Sequence, residues 1–168
     1  KSFFRLLEQC EEADYYSFAD QDDIWDEDKL ERAMNRIGKT DIPVLYCADF
    51  YVWDDHGGIL APCRHLSEPF SIVKSIVNGD SSFGFTQVLN PAMRRLALRY
   101  MQTKPELTQY SHDMWCHLLG VCFGELIYDK SCVARYRRYG NNASTQELHG
   151  GSMLSHRLWQ IRQFLLGS

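Results

Sequence analysis

The chain has 168 residues and a mass of 19.6 kDa, which is the size of one typical domain. Apolar residues make up 45% of it and charged residues 24%, a balance that excludes a disordered or collagen-like protein. The formal net charge of −4 gives no general attraction to phosphate backbones, so we expect no nucleic-acid partner. No apolar run approaches the roughly 18 residues that a membrane span needs.

The six cysteines do not form the pattern of a metal site. None of them belongs to a C-x-x-C pair, so a zinc site of the usual kind is not expected. Cys47, Cys116 and Cys122 lie within apolar segments, as buried free thiols do. We therefore expect a reducing compartment, which places the protein in the cytoplasm.

The first half of the chain alternates apolar strands with amphipathic helices. Apolar residues recur at i, i+3, i+4 and i+7 from Leu30 to Ile37 and predict one buried helix face. Acidic residues suit the first turn of this helix and Gly38 suits its end. In chain order we predict a helix at 1–13, a strand at 15–19, the helix just described, a strand at 43–53, a turn at 54–58 and a strand at 59–61.

The second half continues the alternation, which indicates an α/β or a mixed α+β class. Pro91 suits the first position of a helix, since its missing N–H is not needed there. The remaining predicted elements are a helix at 70–77, a strand at 84–90, a helix at 91–100, a helix at 112–124 with Trp115, Leu118, Leu119 and Cys122 on its apolar face, strands at 125–129 and 132–139, and a polar loop at 139–151.

Charge is distributed unevenly along the chain. Residues 8–31 hold eleven acids against one base, and residues 130–168 hold six bases against one acid. The two regions could face one anionic ligand, with a cation between the acids and that ligand. Alternatively, they are two solvated surfaces of opposite sign.

An acidic loop, DQDD at 20–23, directly follows an apolar strand and precedes a helix. Two charges about 4 Å apart repel by about 4 kcal/mol at an effective dielectric of roughly 20, unless water or a cation separates them. Oxygen ligands favour Mg²⁺ or Mn²⁺, which is held by one or two carboxylates and by substrate phosphates. An EF-hand is excluded because Trp25 stands where its loop needs glycine. The alternative is an acidic turn whose aspartates cap the helix.

Two further features carry possible chemistry. Asp113 lies in the first turn of a predicted helix, where the helix dipole keeps a carboxylate ionised and able to take a proton from a sugar hydroxyl. Alternatively, Asp113 only completes the helix end and Trp115 is a core residue. Arg137 and Arg138 precede a turn, GNN at 140–142, whose donors suit a diphosphate. The alternative there is a basic edge strand that ends in a turn.

These motifs occur in the order FADQDDIWDEDKL, GFTQVLN, SHDMW, FGELIYD and VARYRRYGNN. Together they resemble the second half of family 2 glycosyltransferases of the GT-A fold, of the rhamnosyltransferase-like kind and of the kind that builds capsule or lipopolysaccharide. The resemblance covers residues 3–145. It implies a partial GT-A fold, that is, a Rossmann-like mixed sheet flanked by helices, without the N-terminal nucleotide-binding strands.

The resemblance also implies an activity and its partners. A sugar would pass from a nucleoside-diphosphate sugar to a glycan or lipid-linked acceptor, with inversion, in cell-surface polysaccharide biosynthesis. Asp20 and Asp22 match the pair that binds Mn²⁺ or Mg²⁺ on the donor diphosphate, and Asp23 supports that donor site. Asp113 matches the catalytic base. The other implied contacts are Arg137 and Arg138 to the donor, and Gly84, Thr86, His112 and Trp115 to the acceptor.

Two departures from the family pattern stand out. The strands that hold the nucleotide in the family do not precede Lys1, so we expect a piece of a longer protein, which need not bind donor by itself. Tyr139 stands where many relatives have His, and a phenol is a poor metal ligand at neutral pH.

The resemblance divides the chain into a glycosyltransferase portion at 1–150 and an amphipathic helix at 151–168. The helix pattern at 152–166 is cationic, so it could lie peripherally on an anionic membrane near a lipid-linked acceptor. Alternatively, it packs on the domain or on a partner subunit. Two other functions stay open. One is a non-catalytic remnant that binds a partner or glycan, and the other is a different metal-dependent phosphate enzyme such as a nucleotidyltransferase.

Overall fold

A computed structural model describes residues 2–54, 58–61, 66, 68–78, 80–103 and 111–138. These residues form four α-helices, six strands, a π-helical turn and a 3₁₀ turn. In chain order the elements are α1 (Ser2–Gln9), β1 (Tyr16–Ser17), β2 (Ile24–Trp25), α2 (Lys29–Ile37), β3 (Val44–Asp54), β4 (Ile59–Ala61), the π-helical turn (Lys74–Asn78), the 3₁₀ turn (Gly84–Thr86), β5 (Val88–Leu89), α3 (Pro91–Thr103), α4 (His112–Phe123) and β6 (Glu125–Arg138).

The strands build one mixed sheet in the order β1-β5-β3-β6-β2, and β4 pairs with β3 beside this path. β3 and β6 run parallel, whereas the other neighbours are antiparallel. β3 lies in the middle because its sequence is apolar almost without interruption, as a strand covered on both faces requires. The predicted mixed α/β class is thus confirmed.

Helices cover both faces of the sheet. On one face, α1, α3 and α4 pack on a core that includes Leu45 and Leu89. On the other face, α2 packs on Val44 and Tyr46. Successive side chains of a strand point to opposite faces, which is why neighbouring residues of β3 enter different cores.

The pairing of β3 with β6 is irregular in the middle. Tyr46 pairs with Ile127, whereas Val52 pairs with Tyr136, so β6 advances by nine residues while β3 advances by six. The register shifts fall between Ala48 and Tyr51 of β3. Extra residues on one strand of a pair are the mark of β-bulges, which re-aim the side chains that follow.

α2 buries a different face from the one that its apolar residues predict. Ala33 and Ile37 are buried as expected, but Leu30 and Met34 are 41% and 39% exposed. Lys29 takes their place and is fully buried. Since Lys29, Ala33 and Ile37 follow one another at intervals of four, they lie on one side of the helix.

Three other predicted elements differ from the structure. The segment 84–90 begins with the 3₁₀ turn, because the backbone N–H of Thr86 and its hydroxyl both donate to the Phe83 carbonyl, at 3.0 and 2.8 Å. Only β5 remains as a strand there. The helix at 70–77 is largely the π-helical turn, and the two strands at 125–129 and 132–139 are one bulged strand, β6. β2 was not predicted.

The other predictions for the described residues agree with the structure: the first helix, although it ends at Gln9 instead of residue 13, the strands at 15–19, 43–53 and 59–61 in their central parts, and the helices from 91 and from 112. In the described part of the chain, no helix is long and apolar enough to cross a membrane. Cys10, Cys47, Cys116, Cys122 and Cys132 are free thiols. The predicted loop at 139–151 and tail helix at 151–168 lie outside the described residues.

Candidate active site

The acidic loop connects the two edge strands of the sheet. β1 pairs with β5 at one edge and β2 pairs with β6 at the other, so residues 18–23 pass from one side of the sheet to the other. Asp20 is exposed in this crossing segment, and Asp22 and Asp23 are half-buried. The crossing brings the loop against elements that are distant in the sequence.

His112 forms the contact between the acidic loop and α4. Its ring stacks on Phe3, with 4.1 Å between ring centroids, and meets the edge of Phe18 at 4.6 Å. Phe18 precedes Asp20 by two residues, so this contact holds the start of α4 beside the loop. The backbone of Gly84 also lies directly against the ring, because a Cβ at Gly84 would overlap Nε2 of His112. Close approach of backbone to a side chain is a reason for glycine at such a position.

The carboxyl of Asp20 interacts with both parts of the predicted site. Partial burial of the carboxyl raises its pKa, the nearby imidazole of His112 lowers it, and the charges of Asp22 and Asp113 raise it. Coulomb interactions between exposed charges fade over about 10 Å at moderate salt. Together with the contact between His112 and Phe18, these interactions place the loop and the start of α4 in one site.

Asp113 is the second residue of α4, which begins after Ser111. Its Oδ1 accepts the backbone N–H of Met114 at 2.8 Å, which fixes the carboxylate in the first helical turn. Burial lowers the pKa of the neighbouring His112, although the charges of Asp113 and Asp20 raise it in part. The site thus places an imidazole whose protonated form is disfavoured by burial beside the half-buried carboxylate of Asp113.

Asp23, the last residue of the acidic loop, and Lys29, the first residue of α2, influence each other's pKa. Burial raises the pKa of Asp23 to about 7; the charges of Asp20 and Asp22 add to the rise, and Lys29 opposes it. Burial likewise lowers the pKa of Lys29 to about 7, against the effect of Asp23. The backbone N–H of Arg137 lowers the pKa of Asp23, yet neither carboxylate oxygen reaches full hydrogen-bond geometry with a described residue. The loop therefore carries negative charge that the protein leaves partly uncompensated.

Lys29 is a site residue that the sequence analysis missed. Its Nζ lies 3.0 Å from the centre of the Trp25 ring and donates to Oγ of Ser17 at 3.3 Å. A signal was present in the sequence, because Lys29 shares the spacing of Ala33 and Ile37, but a preference for apolar residues selects Leu30 and Met34, on the adjacent side of the helix.

Gln87 is a second residue that the sequence analysis missed. Its side chain is fully buried, and its Nε2 donates to the main-chain oxygen of Asp113 at 2.9 Å. Gln87 lies two residues before Leu89, so the alternation of a strand predicts that its side chain points to the same buried face. No local sequence pattern connects Gln87 with α4.

The predicted acceptor residues other than His112 do not present side chains to a ligand. Thr86 is fully buried, and its hydroxyl is used within the 3₁₀ turn. Gly84 acts through its close approach to the imidazole. Trp115 is only 5% exposed and packs in the core against Tyr100, which favours the alternative that it is a core residue. The burial of Thr86 and Trp115 favours packing roles for both, and their contact with an acceptor stays a prediction.

The two predicted donor arginines end β6 beside the loop. The guanidinium of Arg137 lies over the ring of Trp53, 4.6 Å from its centre, while its backbone faces Asp23. Arg138 ends the strand opposite Asp54, and its side chain lies outside the described residues, as Tyr139 does.

No group of three or more His, Cys, Asp or Glu side chains within the described ranges is arranged to hold a metal ion by itself. Asp20 and Asp22 nevertheless offer two carboxylates whose repulsion a divalent cation would relieve. This donor set fits an ion that completes its shell with phosphate oxygens and water, as Mg²⁺ commonly does. No family model, curated protein or solved structure matches the chain.

Proposed function

We propose that the protein is a metal-dependent, inverting glycosyltransferase of the GT-A type, or a piece of one. It would transfer a sugar from a nucleoside-diphosphate sugar to a glycan or lipid-linked acceptor in cell-surface polysaccharide biosynthesis. The mixed sheet with helices on both faces is compatible with a partial GT-A fold. The ordered motifs supply the rest of the case for this family.

One observation carries the proposal. Asp20 and Asp113 belong to elements far apart in the sequence, yet the ring of His112, the residue before Asp113, packs against Phe18, two residues before Asp20. A direct displacement needs a diphosphate site and a base on the acceptor within one substrate length of each other. His112, seated between Phe3 and Phe18, supplies the contact that keeps these two parts together.

In this proposal Asp113 accepts the proton of the acceptor hydroxyl while that oxygen attacks the anomeric carbon of the donor. The bond between the anomeric carbon and the diphosphate oxygen breaks, and the configuration inverts. Asp113 suits the role of base because its carboxylate is half-buried and fixed by the Met114 N–H. General base catalysis of this kind contributes roughly 10²–10⁴ in rate.

Asp20 and Asp22 would hold Mn²⁺ or Mg²⁺, and Asp23, the next residue of the loop, would support the donor site. When bound, the ion would supply Lewis-acid stabilisation of the leaving nucleoside diphosphate. Arg137, whose backbone N–H faces Asp23 and whose guanidinium lies over Trp53, would contribute positive charge to the donor site. The free cysteines support a cytoplasmic location, and a peripheral membrane contact through 152–166 stays a prediction.

The proposal is tested by incubating the protein with a panel of nucleotide sugars, with and without Mn²⁺, and measuring free nucleoside diphosphate. A donor-induced rise in Tm that needs Mn²⁺ is the parallel measurement of binding. Asp41→Asn is a matched control, because it removes one exposed carboxylate ahead of β3 and outside the site.

We expect nucleoside diphosphate release and a Mn²⁺-dependent Tm rise in the wild type and in Asp41→Asn. Release of pyrophosphate instead would favour the nucleotidyltransferase alternative. Neither release nor a Tm rise with any donor would contradict the enzyme and favour the remnant.

A further inference from the structure

Gln87 lies between the two parts of the candidate site. Its side-chain Nε2 donates to the main-chain oxygen of Asp113 at 2.9 Å. Its own main-chain oxygen accepts the hydroxyl of Ser17 at 2.7 Å, and that hydroxyl in turn accepts Nζ of Lys29. One buried residue therefore binds the strand that leads into the acidic loop and the helical turn that carries Asp113.

The orientation of the Gln87 amide is determined by its neighbours. Nε2 faces two carbonyl oxygens, those of Asp113 at 2.9 Å and Ser82 at 3.3 Å, and also Oγ of Ser82 at 2.8 Å. A flipped amide would put its oxygen against both carbonyls, which have no hydrogen to donate. The amide therefore donates toward Asp113, and Oε1 has no hydrogen-bond partner among the described residues.

A buried network holds the other side of this amide in place. The backbone N–H of Ser82 donates to Nδ1 of His117 at 3.3 Å, so Nδ1 carries no proton. Nε2 of His117 then donates to Oγ of Ser75 at 3.1 Å, and the Ser75 hydroxyl donates to the Ser71 carbonyl at 3.0 Å. Because these groups are buried and each donor has an acceptor, the amide cannot move without breaking other hydrogen bonds.

Resting on the proposed function, we propose that Gln87 is a positioning residue that fixes Asp113 through the main-chain carbonyl of that residue. The carbonyl and carboxylate belong to the same residue, at the first turn of α4. Removing the donor would leave the Asp113 carbonyl buried without this bond and would free the turn to shift. A displacement of about 1 Å at a reacting group can lower turnover about 100-fold.

The test compares Gln87→Met with Ser82→Ala in the full chain. Gln87→Met keeps the length of the side chain but removes both donors, so the bond to Asp113 is lost. Ser82→Ala is the matched control, since it removes one acceptor of the same amide and leaves the Asp113 bond intact. Hydrogen exchange of the Met114 amide reports the position of the carboxylate, because that amide donates to Oδ1 of Asp113.

In Gln87→Met we expect the protection factor of the Met114 amide to fall about tenfold or more, and kcat to fall about 10–100-fold with an unchanged donor KM. In Ser82→Ala we expect both quantities to stay near the wild type, even if Tm falls. Equal effects of the two variants would overturn the positioning role, because a merely structural network predicts equal effects. A change in donor KM without a change in kcat would also overturn it.

Gln87→Glu provides a second arm if Gln87→Met does not fold. A carboxylate there repels the Asp113 and Ser82 carbonyls, whereas a protonated carboxyl can donate one hydrogen bond in the place of the amide. We expect Met114 protection in this variant to recover as the pH falls, after correction for intrinsic exchange. Protection that is independent of pH and equal to the wild type would overturn the proposal. The exchange measurement needs no turnover, so the failure of the proposed activity is distinguishable from the failure of this inference.

Discussion

Two carboxylates that face the protein interior, Asp129 of β6 and Asp23 of the acidic loop, meet opposite surroundings. Asp129 accepts the Tyr46 hydroxyl at 3.1 Å and the backbone N–H of Ser131 at 2.9 Å. Arg36 lies 3.7 Å from the same group. Burial alone would raise the pKa of Asp129, but these hydrogen bonds and the arginine outweigh burial and lower it.

Asp23 has no such set of donors. Burial and the charges of Asp20 and Asp22 raise its pKa to about 7, and its oxygens lack full hydrogen bonds to described residues. The fold thus provides hydrogen-bond donors and a nearby positive charge for Asp129. It leaves Asp20 and Asp23 in surroundings that disfavour their ionised forms. Strongly perturbed carboxyls of the second kind are a mark of functional sites. The comparison predicts that the two places respond differently to mutation.

The largest expected effect comes from Asp113→Asn. If the loop and α4 form one catalytic site, removing the base should lower transfer by roughly 10²–10⁴. Donor binding should persist, because the loop carboxylates are untouched. Nucleoside diphosphate release and the donor-induced Tm rise measure the two properties separately. Turnover at the wild-type rate would remove Asp113 as the base.

The next effect concerns Asp22→Asn, which should abolish the Mn²⁺-dependent part of donor binding while the fold stays intact. The reason is that Asp20 alone would then face the cation. Isothermal titration with donor, in the presence and absence of Mn²⁺, measures this loss. Asp41→Asn should bind as the wild type does, and wild-type affinity in Asp22→Asn would refute the metal assignment.

Asp129→Ala tests the carboxylate to which we assign a structural role. It leaves the buried Tyr46 hydroxyl without its acceptor and should lower the free energy of unfolding by about 3 kcal/mol. In a chain of this length that corresponds to a fall of roughly 6–12 °C in Tm. Because the pKa of Asp129 is lowered, its contribution is present above the usual aspartate pKa and is lost as the pH falls through the folded value. The loss in Tm should therefore be smaller at pH 3 than at pH 7.

Asp23→Asn should have the smallest effect, with the opposite sign. A raised carboxyl pKa of about 7 means that ionised Asp23 costs stability above pH 7 and costs little near pH 4. The variant should therefore gain roughly 2–4 °C in Tm at pH 8 without metal, and nothing near pH 4. Differential scanning calorimetry at both pH values measures this, and a lower Tm at pH 8 would show that Asp23 is satisfied after all.

The sequence was most informative where one local rule decides the outcome. β3 could be predicted because its long apolar run is typical of a strand that is covered on both faces. α3 could be predicted because Pro91 suits the first position of a helix. α2 shows the limit of such rules. Two sides of that helix have helical spacing, and the buried one was decided by the contacts of Lys29 with Trp25 and Ser17.

The residues of the candidate site likewise fall into those that the sequence could predict and those that it could not. The acidic loop and Asp113 could be singled out from residue types, but their proximity depends on the seat of His112 and on the crossing of the sheet by the loop. Gln87 could not be found, because its role comes from hydrogen bonds to residues in three separate segments. Trp115 could not be assigned to core or ligand until its burial was known.

The irregular pairing of β3 with β6 has a consequence for changes in chain length. Three additional residues are an odd number, so they invert the inward–outward alternation of the last part of β6. Tyr136 consequently packs against Phe50, and Arg137 lies over Trp53. A single deletion between 129 and 134 would exchange the directions of Tyr136 and Arg137, whereas a deletion of two would shift them without exchange. We therefore expect insertions and deletions here to keep the arginine on its side of the sheet only when they add or remove an even number of residues.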